Sequence, residues 1–111
     1  MPRIEIPLNE LIEDRPVRLE HNGEGIVVVR HGGSVQAYED VCPHAGWRLS
    51  DGEVSGGHIE CPGHAWQFDL ATGRCLEVPF YCLKRVHVES RDGVVRLSWK
   101  ESEEADGPPP A

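Results

Sequence analysis

The chain has 111 residues, 39% of them hydrophobic and 27% charged, which is enough for one domain with a modest core and too little for a large enzyme. Nineteen acidic residues against eleven basic ones leave a formal charge of −8, the wrong sign for a nucleic-acid binder or a protein held on anionic membranes, and one that suits basic partners. Aromatics are 6%, so the core has to come mainly from Val, Leu and Ile, and a domain this small commonly needs a metal or a disulfide as reinforcement.

Taken in chain order, short alternating runs recur between turn signals, the pattern of an all-β sandwich or barrel. Strands are predicted over 3–8, 16–20, 26–30 and 35–39, with the first hairpin turning at 21–25 and the second at His31-Gly32-Gly33-Ser34. Residues 9–14 carry the one hint of a helical turn, with Asn9 as its N-cap and Leu8, Leu11 and Ile12 on one side, before Pro16 stops it. Toward the end, strands over 83–89 and 93–99 flank a turn at Ser90-Arg91-Asp92, and Trp99 is expected in the core. The stretch from about 40 to 81 is broken by glycine and proline and holds every cysteine, so function is expected there, on loops carried by the scaffold. Residues 101–111 are acidic and then proline-rich, without apolar periodicity, and read as a disordered tail behind a single domain over 1–100. No secretory signal or membrane span is visible, so the chain reads as cytoplasmic, where four cysteines are expected as metal ligands or buried thiols rather than disulfides.

Two short clusters stand out. Cys42-Pro43-His44 and Cys61-Pro62-Gly63-His64 are separated by positions 45–60; the first follows the strand at 35–39 and the second falls between a short strand at 58–60 and an alternating run at 65–69, so that two matching loop tips could clamp one inorganic centre. Thiolate and imidazole suit soft and borderline metals, and the proline after each cysteine fixes φ before the metal arrives. Gly46 and Gly63 are expected to keep side chains off the site and let backbone N–H groups approach sulfur. Zinc in a closed Cys2His2 site is the rival, though the one-residue gap between Cys42 and His44 is tight for a single tetrahedral ion.

At these residues the chain resembles the Rieske family, whose signature is C-x-H, a loop of fifteen or more residues, then C-x-x-H. The resemblance extends over the hairpins before the first cluster, Leu49-Ser50-Asp51-Gly52 after it, and Phe68-Asp69 with Thr72-Gly73-Arg74 after the second. It implies an antiparallel β sandwich or barrel with a small inserted cluster-binding subdomain at about 40–81. It also implies one [2Fe–2S] cluster, with Cys42 and Cys61 on one iron and His44 and His64 on the other. Two ferric ions, two sulfides and two thiolates cancel to zero charge, so an electron is accepted more readily than by an all-cysteine cluster, within roughly −150 to +300 mV. High-potential members carry a disulfide at the positions of Trp47 and Gly63, and hydroxyls at those of Trp66 and Phe68; lacking both, this chain is expected at the low-potential end.

The implied function is that of a monomeric one-electron carrier, not itself an enzyme, between an NAD(P)H-dependent flavin reductase and a terminal oxygenase, either a ring-hydroxylating dioxygenase or a diiron monooxygenase. The alternatives are the small subunit of an assimilatory nitrite reductase and a zinc-stapled interaction domain. Trp47, Pro79, Phe80 and Tyr81 either form a docking rim or pack under the loops. Cys75 and Cys82 read as ordinary buried thiols, and His21, His31, His58 and His87 as surface or satisfied histidines.

Overall fold

The computed structural model describes residues 3–21, 23–43, 46–63, 66–78 and 80–98. They form nine strands: β1 (Arg3–Pro7), β2 (Val17–His21), β3 (Glu24–His31), β4 (Ser34–Glu39), β5 (Glu53–Ser55), β6 (His58–Glu60), β7 (Gln67–Asp69), β8 (His87–Arg91) and β9 (Val94–Ser98). Two single 3-10 turns, Leu8–Glu10 and Leu49–Asp51, are the helical segments among the described residues, and no helix there is long and apolar enough to cross a membrane. The all-β expectation therefore holds. Trp99 and the acidic stretch at 101–111 lie outside the described residues.

The strands make three antiparallel three-stranded sheets, ordered β1-β9-β8, β2-β3-β4 and β5-β6-β7. The β2-β3-β4 sheet lies between two cores, and the two-residue period of a strand decides which side chain serves which. Ile26 and Val28 of β3 join Leu11, Ala37, Val86, Val95 and Leu97 in one apolar cluster. Val27 and Val29, their immediate neighbours, join Tyr38, Leu49, Ile59, Phe68 and Leu70 in the other. This accounts for the unbroken apolar run of β3, because a strand covered on both faces has no polar side to alternate with.

Three hairpins turn on two residues with positive φ, the geometry that matches the twist of paired strands. They are Gly32-Gly33, Gly56-Gly57 and Asp92-Gly93. The last lies later than the expected turn: Arg91 faces Val94 across the ladder, and Asp92 sits in the left-handed region at φ 54°.

Two other expectations are corrected. Strand pairing at 83–89 begins only at His87, because the preceding backbone is used elsewhere: the Glu39 N–H donates to Lys84 O, and the Val86 N–H to Ala37 O, closing the edge of β4. The helical turn at 9–14 is a 3-10 turn one residue earlier, entered from Pro7 with no side-chain cap at Asn9. It ends when Leu11 donates to Leu8 O, and Asp14 then donates to Arg30 O, so the chain pairs with β3 instead of coiling further. Leu11 is buried, whereas Ile12 is 54% exposed.

Candidate metal centre

The two cysteine loops are built alike. The Cys42 N–H donates to Trp47 O at 2.8 Å, and the Cys61 N–H donates to Trp66 O at 2.8 Å, so each loop is closed by a bond from a cysteine to the residue five positions later. Both cysteines are buried in the same apolar cluster, between Leu49, Ile59 and Phe68. Hairpin-like closure with a proline after each cysteine thus delivers two thiol groups to one side of the middle sheet. His44 and His64 lie outside the described residues. None of the four cysteines is in a disulfide.

The first loop is anchored by a residue that motif reading passed over. Asp40, two positions before Cys42, has a side chain with 0% exposure, and its carboxylate accepts from Arg18 Nη1 at 2.7 Å, from the Ser50 N–H at 2.8 Å and from Ser50 Oγ at 2.6 Å. A buried carboxylate is tolerable only when paired and hydrogen-bonded, and this one ties β2 to both ends of the loop at once. The bond from Asp40 holds the Arg18 guanidinium still more firmly protonated. The available signal was an acidic residue between an apolar strand and a cysteine, in a position where solvent exposure would otherwise be assumed.

A second tie joins β4 to the turn after β7. Tyr38 Oη donates to Leu70 O at 2.7 Å, and Arg85 reaches Tyr38 Oη, Gln36 Oε1 and Ala71 O. Burial pushes the Tyr38 phenol pKa up. Gly73, at φ 80°, passes the Tyr38 ring so closely that an added Cβ would come within 2.9 Å of Cε1.

The expectation for Gly46 and Gly63 as one kind of residue divides in two. Gly46 has φ 78° and open space around it, so backbone conformation selects glycine there. Gly63 lacks a positive φ, and a Cβ added there would meet atoms of the Trp47 indole. The aromatic rim divides likewise. Phe80 is 91% exposed, while Tyr81 packs against Trp66 with ring centroids 5.5 Å apart.

Cys75 is buried beside the two loop cysteines, its sulfur accepting from the Val78 N–H at 3.4 Å, whereas Cys82 is exposed, against the expectation of a buried thiol. Cys82 pairs with Arg74 in an isolated antiparallel bridge and continues the exposed stretch of Phe80 and Tyr81. His31 is a satisfied histidine, as expected: Nδ1 lies 2.6 Å from Asp14 Oδ1 and 4.0 Å from Glu13 Oε2, and the Asp14 hydrogen bond raises its pKa.

Comparison with known proteins adds three findings. Residues 4–87 match the family model described as the Rieske [2Fe-2S] domain. Among curated proteins, the ferredoxin component of the naphthalene 1,2-dioxygenase/salicylate 5-hydroxylase systems of Ralstonia sp is 36% identical over 72 residues, 65% of this chain and 69% of that protein. The chloroplastic protein TIC 55 of Arabidopsis thaliana is 35% identical over 94 residues, 75% of this chain, but the matched part is 17% of that protein. Among solved structures, a chain of the complex of reduced oxygenase and oxidized ferredoxin in carbazole 1,9a-dioxygenase aligns with a TM-score of 0.79 at 28% identity, covering 86% of this chain and 92% of that one.

Proposed function

The chain belongs to the Rieske [2Fe–2S] domain family, and on that premise we propose that it is a cytoplasmic one-electron carrier, with no substrate chemistry of its own, serving a terminal oxygenase. In this reading Cys42 and Cys61 hold one iron of the cluster, and His44 and His64 hold the other. The cluster, when bound, supplies a single reversible electron step near zero net charge. The observation that carries the reading is the matched closure of the two loops, which brings both thiols, by equal hydrogen bonds, into one buried cluster. The donor set fits the group, since two soft sulfur ligands fixed in an apolar setting are what an iron–sulfur centre requires from its cysteine side.

The protein's own residues position, shield and present that centre. Asp40 and Tyr38 tie the loops to the scaffold, and Phe68, buried where a hydroxyl would raise the potential, withholds a hydrogen bond from the site. A midpoint toward the low end of the family range follows. Phe80, with little of its ring packed, gives an apolar contact on the same stretch as Tyr81, and the net charge of −8 favours a basic partner surface through salt-sensitive, transient docking. The Ralstonia ferredoxin component and the ferredoxin–oxygenase complex are relatives named for such systems, and they support an oxygenase as the electron acceptor. An NAD(P)H-dependent flavin reductase is the proposed donor.

The test is the purified protein itself. Two irons and two sulfides per chain, a reduced paramagnetic signal of low average g, and reoxidation by a basic-faced oxygenase with product formed are expected. Phe80→Ala should slow that transfer while leaving cluster content and stability unchanged to within about 0.5 kcal/mol. A colourless protein with one zinc would overturn the carrier reading. Stoichiometric copurification with a large reductase subunit would replace it with a permanent-subunit role.

A further inference from the structure

The two cysteine loops meet through one side chain. Trp47 lies in the first loop, and its indole covers Gly63 of the second: a Cβ added at Gly63 would run into Nε1, Cδ1 and Cε2 of that ring. Gly63 has no positive φ, so its backbone would accept any L residue, and the obstacle is the indole. Gly46 shows the contrast, with a left-handed φ and nothing within 4 Å of an added Cβ. The backbone of Trp47 is fixed from the other side, since its carbonyl accepts the Cys42 N–H. The residue is 51% exposed, so core burial alone does not place it.

We propose that Trp47 is a positioning residue, a non-covalent latch seated on Gly63, which fixes the separation of the loops bearing Cys42 and Cys61. The proposal rests on the reading that these loops hold the cluster. A flat ring against bare backbone gives close dispersion contact over a large area without requiring a directional bond, and it links two loops that no disulfide joins. Without it, each loop moves on its own anchor, water and small molecules gain entry, and a solvated site favours the added electron.

The experiment compares the wild type, Trp47→Ala, Gly63→Ala, the double variant and Trp47→Phe as holoproteins with iron and sulfide quantified. It reads the rate of iron release to a chelator and the midpoint potential. Trp47→Ala and Gly63→Ala should each release iron about tenfold faster, the scale of coupling between residues in contact. Both should move the midpoint upward, and the double variant should be no worse than either single one. Trp47→Phe should recover part of the wild-type behaviour. If Gly63→Ala fails to load iron at all, recovery of iron in the double variant supports the latch, and continued failure overturns it. A double variant that releases iron faster than either single one, by the sum of their separate effects, overturns it too, as does a Trp47→Ala protein with wild-type release and potential. A wild-type chain without iron and sulfide would instead remove the cluster reading, and the latch with it.

Discussion

The two faces of the β2-β3-β4 sheet are filled in different ways. Toward β1, β8 and β9 the cluster among the described residues is aliphatic: Leu, Ile, Val and Ala. Toward the loops it contains Cys42, Cys61, Cys75, Tyr38 and Phe68, and its borders are set by Asp40, Ser50, Arg85 and backbone carbonyls. The first face is held by non-directional burial, which tolerates swaps that keep volume. The second depends on bonds with fixed geometry, which position sulfur but fail abruptly when a partner is removed. One strand, β3, serves both, so the aliphatic face supplies the stability against which the directional face is arranged.

This contrast can be broken most severely at the thiols. Cys42→Ser or Cys61→Ser should abolish cluster content, measured as iron and sulfide, while strand circular dichroism persists because the aliphatic face is untouched. Next come matched core deletions. Phe68→Ala and Leu97→Ala should each cost about 3–4 kcal/mol in urea unfolding, but only Phe68→Ala should also speed iron loss. If both did so equally, the two faces would be one cooperative unit. Asp40→Ala removes the partner of a buried ion pair and should cost about 3 kcal/mol, with Asp40→Asn milder because the amide still accepts from Ser50.

The smallest effect concerns His31. Its pKa is raised by the hydrogen bond to Asp14, with Glu13 adding to it, so the pair stabilises the folded chain fully below the unfolded value of about 6.5. That contribution is lost as pH rises through the higher folded value. A urea midpoint that falls slightly between neutral and mildly alkaline pH, and a flatter profile in His31→Gln, are expected. An unchanged slope in the variant would assign the dependence to another group.

Much of this could be read from residue order alone. The hairpin at Gly32-Gly33 was legible because paired glycines between apolar runs admit few other conformations, and the cysteine boxes because their spacing is specific. β5 was passed over although Gly56-Gly57 repeats the same turn, since its three residues are too short to show alternation. The start of β8 was misplaced because Leu83 and Val86 are buried without being in a ladder, and burial alone does not distinguish strand from edge-covering loop. The partners of Asp40 and the seat of Trp47 are harder to read for a different reason: each is a contact with another segment of the chain, and an acidic residue before Cys42 is a local sign of the first without naming Arg18 or Ser50.

The pairing of β1 with β9 joins Arg3 to Ser98 and Pro7 to Val94, whereas β2 to β4 and β5 to β7 pair with their successors in the chain. Closing a loop of that length costs more entropy than closing a hairpin, though the cost grows only slowly with length, and contacts of such separation are made slowly compared with local hairpins. The pieces that bear the cysteines can therefore be assembled while the outer sheet is still open. Iron added to a refolding chain before the outer sheet closes would meet loops still being assembled, and iron added afterwards a finished site.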